Sequence, residues 1–215
     1  YECDALSAYR QRPMLVLLPD STTDVSNIVR ACARCDIPIV PWGAGTGLSG
    51  DASPLRDGAV VSMARMNRIL EIDLQNRTVT VQPGVTNLGV TQAVAEAGYY
   101  YDPDPSSQLA CTIGGNIAEN AGGVHCLKYG TTTNNVLGLE IVLADGEVVR
   151  IGGKGMDQNG LDLLGLLTGS EGLLAITTEA TLRILRRPEV ARAMMAVYDS
   201  VEAAGQAVAD VIAAG

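Results

Sequence analysis

The chain has 215 residues, a formal net charge of −9, 47% hydrophobic and 18% charged residues. This is a globular balance, and its negative excess argues against nucleic acid or an anionic membrane surface as a partner, because both would be repelled. With no Phe and only 4% aromatic residues, the core must come from Val, Ile, Leu and Ala, while the 24 glycines sit largely in clusters that imply tight turns or close approach to a ligand.

The length allows one large domain or two small ones. Ser21 and Asp24 read as a helix-capping pair, and Val25, Ile28, Val29 and Cys32 follow at helical spacing until Pro38. Residues 37–41 are a short apolar strand that enters a glycine loop. Residues 59–63 and 69–74 read as strands, 75–77 as a turn, and 78–82 as a half-buried strand. Residues 88–97 are a helix stopped by Gly98. A long stretch rich in Pro, Gly, Asn and Ser follows, with one short helical turn between two Gly-Gly pairs. Its length without an obvious element points to function or disorder, and its apolar Cys111, Ile113 and Ile117 point to order. Residues 136–144 and 147–151 flank Asp145-Gly146 as a hairpin. Residues 161–167 are a short helix, 175–185 a strand, and Arg186-Arg187-Pro188 a boundary. A strand at 193–198 and a helix at 201–214 complete the series. The order lacks regular strand–helix alternation, so the expected fold class is α+β rather than a doubly wound sheet.

Five cysteines, Cys3, Cys32, Cys35, Cys111 and Cys126, form an odd, scattered set. A cytoplasmic, reducing setting is expected, without a secretory leader or a membrane-length apolar run. Cys32 and Cys35 are read as small helix residues, since no second Cys-x-x-Cys accompanies them, and no metal site is expected.

The segment Pro41-Trp42-Gly43-Ala44-Gly45-Thr46-Gly47-Leu48-Ser49-Gly50 contains Gly-Thr-Gly-Leu-Ser-Gly, the letters of a dinucleotide fingerprint. That fingerprint works only when a helix begins within it and points its dipole at the pyrophosphate. Here residues 51–58 are turn-forming and a strand follows, so a nicotinamide-binding module is disfavoured. A phosphate loop with a trailing Lys-Ser/Thr is absent as well. What remains is either a tight turn without a ligand or an anion nest, in which Gly43, Gly45 and Gly47 would allow positive φ and Thr46 would add a hydroxyl. A second glycine-rich segment, residues 112–123, places Gly115 at a helix start with free N–H groups. A third is Gly169-Ser170-Glu171-Gly172. Three such segments suit one long ligand with phosphates and a flat ring system.

Residues 41–50, 102–130 and 169–184 together resemble the FAD-binding domain of the vanillyl-alcohol oxidase / p-cresol methylhydroxylase family. Within it they are most similar to glycolate oxidase FAD subunits and FAD-linked D-lactate dehydrogenases. The similarity runs from about Pro13 to Leu185. It implies a non-Rossmann α+β FAD-binding fold of two subdomains, taken here as residues 1–72 and 73–188, with 189–215 beginning a truncated cap. It also implies that Pro41, Trp42, Gly43, Ala44, Gly45, Thr46, Gly47, Leu48 and Ser49 wrap the FAD pyrophosphate. Pro103, Asp104, Ser106, Ser107, Cys111 and Thr112 would run along the flavin side. Gly114, Gly115, Asn116, Glu119, Asn120, Gly122 and Gly123 would pack on the ribityl chain and ring. Glu171, Gly172, Ala175, Ile176 and Thr177 would line the adenosine end, where Ala175 departs from the glycine common in the family.

The implied chemistry is oxidation of a small 2-hydroxy acid, of the glycolate or D-lactate type, with hydride passing to non-covalent FAD. Catalytic residues would lie in the cap; His125 is the single histidine here and is either a flavin-facing group or a loop anchor. Related substrates (D-2-hydroxyglutarate, lactones, reductase-type substrates) are the alternative. The implied partners are a second flavin-type subunit and an iron–sulfur subunit, and the implied location is cytoplasmic, with peripheral attachment at the inner membrane left open.

Overall fold

A computed structural model describes residues 1–155 and 160–215. The first sheet is parallel and three-stranded. Strand β1 (Leu15–Leu17) leads into helix α1 (Thr22–Arg34), then β2 (Ile39–Trp42) and β3 (Ala59–Ser62), in the order β1-β3-β2. The N-terminus of α1 is capped as its sequence predicts: Ser21 Oγ accepts from Asp24 N–H at 3.1 Å. Asp24, shorter than the usual Glu, reaches the Ser21 hydroxyl and the Asp20 N–H instead of the Ser21 N–H. Val25, Val29 and Cys32 lie on the buried face of α1.

Parallel neighbours need a crossover, which is usually a helix. Between β2 and β3 that crossover is the glycine loop itself, residues 43–58, so the loop is held at both ends by the sheet.

The chain then changes sheets. Strands β4 (Ile69–Asp73) and β5 (Thr78–Val81) begin a five-stranded antiparallel sheet. Helix α2 (Asn87–Val94), extended by a tighter turn over Ala95–Ala97, leads to the short β6 (Tyr99–Tyr100). Helices α3 (Ile113–Glu119) and α4 (Cys126–Tyr129) are set in the long polar stretch. The hairpin β7 (Val136–Val142) and β8 (Val148–Gly152), helix α5 (Leu163–Leu167), β9 (Ile176–Arg183) and β10 (Leu185–Arg186) complete the core. The large sheet runs β4-β5-β9-β7-β8, and β10 pairs separately with β6.

Three apolar clusters hold this together. Val79, Val81, Val90, Ile113, Ile117, Leu139 and Leu182 form the largest on one face of the five-stranded sheet. Val25, Val29, Val61, Met63, Met66, Val142 and Ile176 form a second, with α1 lying between the two sheets. Val40, Trp42, Ala52 and Val60 form the third. A buried carboxylate ties the first two: Glu140 on β7 accepts from Thr22 Oγ1 (2.7 Å) and Thr178 Oγ1 (3.0 Å) and pairs with Arg150. The larger sheet is antiparallel and strand–helix alternation is confined to β1–α1–β2, which gives the α+β class expected.

One expectation is overturned. Residues 193–198 are not a strand but irregular chain, because no strand among the described residues pairs with them and Met194, Met195 and Val197 are at least 87% exposed. The following α6 (Val201–Ala214) forms, yet it buries no residue. Strand β1 is the reverse case, an element of three residues too short to show periodicity.

Candidate functional site

The C-terminal end of β2 delivers the chain into a bend at residues 43–50, and α3 faces it from across the sheet boundary. Between them lies a cleft of about 260 Å³. Its position beyond the carboxyl ends of parallel strands is where open α/β sheets place ligands.

The loop is built to present backbone. Among the described residues, the N–H groups of Ala44 through Ser49 donate to no protein acceptor. Gly45 takes φ +65°, and a Cβ there would strike the Trp42 ring at 2.5 Å. Gly43 is required for a different reason: a Cβ on it would stand 2.7 Å from Thr112 Oγ1 and 3.5 Å from the Gly115 N. The expectation that Gly43 and Gly47 serve by positive φ is therefore corrected, since neither adopts it. They serve by leaving space, Gly47 beside Asp51.

The opposite wall is the start of α3. Ile113 N–H and Gly114 N–H are taken by Val85 and Pro83 carbonyls. Thr112 stands at the helix cap but its hydroxyl makes no capping bond. Thr112 is 93% buried by its 7% exposure, and Oγ1 has no partner. A buried orphaned hydroxyl costs stability unless something else bonds it. Thr112 and loop residues 44–48, with their unpaired N–H groups, line the same cleft. The set suits an anionic group with several acceptor oxygens, so the residues fit the FAD pyrophosphate.

The cleft wall has no Lys, Arg or His among the described residues. It does have carboxylates. Glu119 Oε2 accepts from Ser49 Oγ at 2.9 Å, joining the loop to the end of α3. Burial, then the neighbouring Asp51 carboxyl, push Glu119 up to about 7, and Glu171 adds to the rise. Glu171 is held at φ +54° in the turn that approaches the wall, with its N–H donated to the Ala118 carbonyl.

Beyond Gly172 a second, apolar cleft of about 250 Å³ shares Pro41, Gly172, Ala175 and Ile176 with the first. Val29, Ala33, Ile39 and Val142 form its floor. Its continuity with the polar cleft suits a flat, weakly polar ring attached to a phosphate chain.

Most residues singled out from the sequence meet at this cleft: 41–48, Ser107, Cys111, Thr112, Gly114, Gly115, Asn116, Glu119, Glu171, Gly172 and 175–177. Asn116 is fixed there by Asn87 and Cys111. Ser49 lies off the wall but holds Glu119. Pro103, Asp104, Ser106, Asn120, Gly122 and Gly123 do not line it. Pro103 anchors Asn87 through its carbonyl, and Asn120 is the left-handed cap of α3, accepting from Thr133 N–H. Ser106 is exposed. His125 sits apart from the cleft wall, with Nδ1 2.9 Å from Asp104 Oδ2, beside Gly123. Behind that pair, Tyr100 donates to Asp102 Oδ1 at 3.2 Å, and burial raises both groups.

The wall also includes residues not foreseen: Asp51, Ala52, Met63, Pro83, Ile117, Ala118, Ala121, Leu167 and Ser170. Asp51 directly follows the nest and Ser170 lies inside a glycine segment, so both carried a local signal. Met63 and Leu167 are core-like in sequence and reach the wall only through folding. Cys32 is buried and Cys35 exposed, both as free thiols.

The FAD binding domain family matches residues 13–152. Glycolate oxidase subunit GlcD of Escherichia coli strain K12 is 56% identical over 215 residues, all of this chain and 43% of that protein. The Bacillus subtilis protein of the same name is 47% identical over 215 residues, and 46% of its length is covered. A D-lactate dehydrogenase of Anaerostipes hadrus is 37% identical over 93% of this chain and 42% of its own. The chain thus spans less than half the length of these relatives. Among solved structures, an alkyldihydroxyacetonephosphate synthase superposes with a TM-score of 0.73 at 26% identity, over 81% of this chain and 32% of that one.

Proposed function

The chain belongs to the FAD binding domain family, and we propose on that premise that it is the flavin-binding portion of an oxidoreductase acting on a small 2-hydroxy acid of the glycolate or D-lactate type. The observation that carries the reading is the cation-free cleft whose wall combines residues 44–48, whose N–H groups donate to no acceptor among the described residues, with Thr112 and its orphaned hydroxyl. Backbone donors hold a pyrophosphate without a counter-charge.

In this assignment residues 43–48, Thr112 and Gly115 bind the pyrophosphate, and Ser49 holds Glu119. Ser107, Cys111, Asn116 and the other cleft-lining residues of 103–123 position the flavin side. Glu171, Gly172, Ala175, Ile176 and Thr177 hold the adenosine end, with the apolar second cleft receiving the ring. FAD supplies a hydride acceptor when bound. The chain's own work is to bind, orient and exclude water around it. Binding is assigned as non-covalent: Cys111 is 97% buried by its 3% exposure and engaged with Asn116, and His125 stands off the wall.

Substrate-contacting residues are assigned to the remainder of the protein, and association with further subunits follows the name of the 56% and 47% identical relatives, which are called subunits. No helix among the described residues is long and apolar enough to cross a membrane; a cytoplasmic location, with or without peripheral attachment, is the working assignment. The test is anaerobic mixing of the flavin-loaded full-length protein with glycolate, D-lactate and D-2-hydroxyglutarate. Bleaching of the flavin by glycolate or D-lactate is expected. Bleaching by none of the three, in a protein that holds FAD, would move the function to another substrate class.

A further inference from the structure

The cofactor cleft has an electrostatic conflict at its mouth. A pyrophosphate is anionic, yet the wall offers it no cation and three carboxyl groups: Asp51 from the loop after the nest, Glu119 from the end of α3, and Glu171 from the turn before β9. Glu119 is the most constrained. Its Oε2 accepts from Ser49 Oγ, which also stands 3.5 Å from Asp51 Oδ1. Its Oε1 is buried and unpaired, so the shared Ser49 hydroxyl is what brings the Glu119 and Asp51 carboxyl groups together. A single hydroxyl can donate to only one of two carboxylates, and two such charges held side by side repel each other, so a proton on one of them relieves the conflict. A second feature of the same cleft wall, next to Gly43, is the orphaned hydroxyl of the 93% buried Thr112.

We propose that Glu119 and Asp51 form a proton-gated clasp across the cofactor cleft, so that FAD binding takes up one proton from solvent. With the proton in place, the pair joins the loop to α3, presents one O–H donor and carries a single negative charge. Without it, two charges oppose each other and the incoming pyrophosphate. The clasp rests on the flavin reading above and adds a residue-level control of that site. The charged groups facing Glu119 are Asp51 on the loop and Glu171 on the turn; both are acidic, so both favour the protonated state, and Ser49 opposes them with a neutral hydroxyl. Bringing a further anion to the cleft raises proton affinity again, which is why binding and protonation are linked.

The test titrates FAD into the flavin-stripped full-length protein at about pH 6, 7 and 8.5, with and without a metal chelator. Calorimetry in buffers of different ionisation enthalpy reads the protons taken up. The wild type is expected to lose about tenfold in affinity across this range, the equivalent of one pKa unit, and to take up a proton near neutrality. Glu119→Gln, nearly isosteric, is expected to bind with a flat pH profile and no uptake; Asp51→Asn provides the same readout from the other partner. A flat wild-type profile, or an unchanged slope in both variants, overturns the clasp. So does affinity that collapses with the chelator, since the carboxylates would then be cation ligands. Failure of the wild type to bind FAD at any pH overturns the flavin reading itself.

Discussion

Thr112 shows how a single side chain can be unfavourable for the empty protein and useful to its complex. Its hydroxyl is buried without a partner, and a buried unpaired polar group costs about 1–3 kcal/mol. Thr112→Val removes the hydroxyl at nearly constant shape. The expected outcome is FAD affinity weakened about 10- to 150-fold, an order set by one lost hydrogen bond to a charged group, with a melting temperature of the flavin-free protein unchanged or higher. Fluorescence titration and thermal melts check the two halves. Glu119 makes a second prediction at this scale. Its folded-state pKa is raised from 4.5 to about 7 by burial and by Asp51. Between those values the folded state holds a proton that the unfolded state has lost. Its contribution is therefore fully present below about pH 4.5 and is lost as pH rises through about 7. The melting temperature of Glu119→Gln minus that of the wild type should become more positive from about pH 5 to about pH 8; a constant difference would contradict the assignment.

The glycine loop shows what the letters of a sequence convey and what they leave out. The failed dinucleotide fingerprint was legible, because the residues after Gly50 have turn chemistry and no helix begins there. The reason for each glycine was not. Gly45 is needed for its φ, but Gly43 is needed because Thr112, some seventy positions away, occupies the space of its Cβ. Elements with strong local signals, such as the Ser21-capped α1 and the Asp145-Gly146 hairpin, form where the sequence places them. Strand β1 carried too few residues for a pattern, and 193–198 carried a pattern without a partner strand; pairing, a tertiary property, decided both. The centre of the five-stranded sheet depends on such pairing. Leu182 on β9 is fully buried between β5 and β7 neighbours. Leu182→Ala is expected to destabilise by about 2–5 kcal/mol, read as a lowered denaturant midpoint with an unchanged slope. A loss under 1 kcal/mol would mean that this layer is not the core described.

At the scale of the molecule, two sheets of different kind meet through α1, and the cleft lies where the parallel sheet's loop faces α3 of the antiparallel half. That juxtaposition was suggested by three glycine-rich segments far apart in sequence, while wall residues such as Met63, Pro83 and Leu167 became visible only in three dimensions. Cofactor binding should then bridge the halves and stabilise them together, as any ligand selective for the folded state does. The most direct test of the account is the flavin content of the purified protein after reconstitution with FAD. The expected result is a yellow protein that releases one FAD per chain on denaturation and melts at a higher temperature with FAD than without. A colourless protein whose melting temperature ignores FAD, with its fold intact, would contradict the assignment of this cleft.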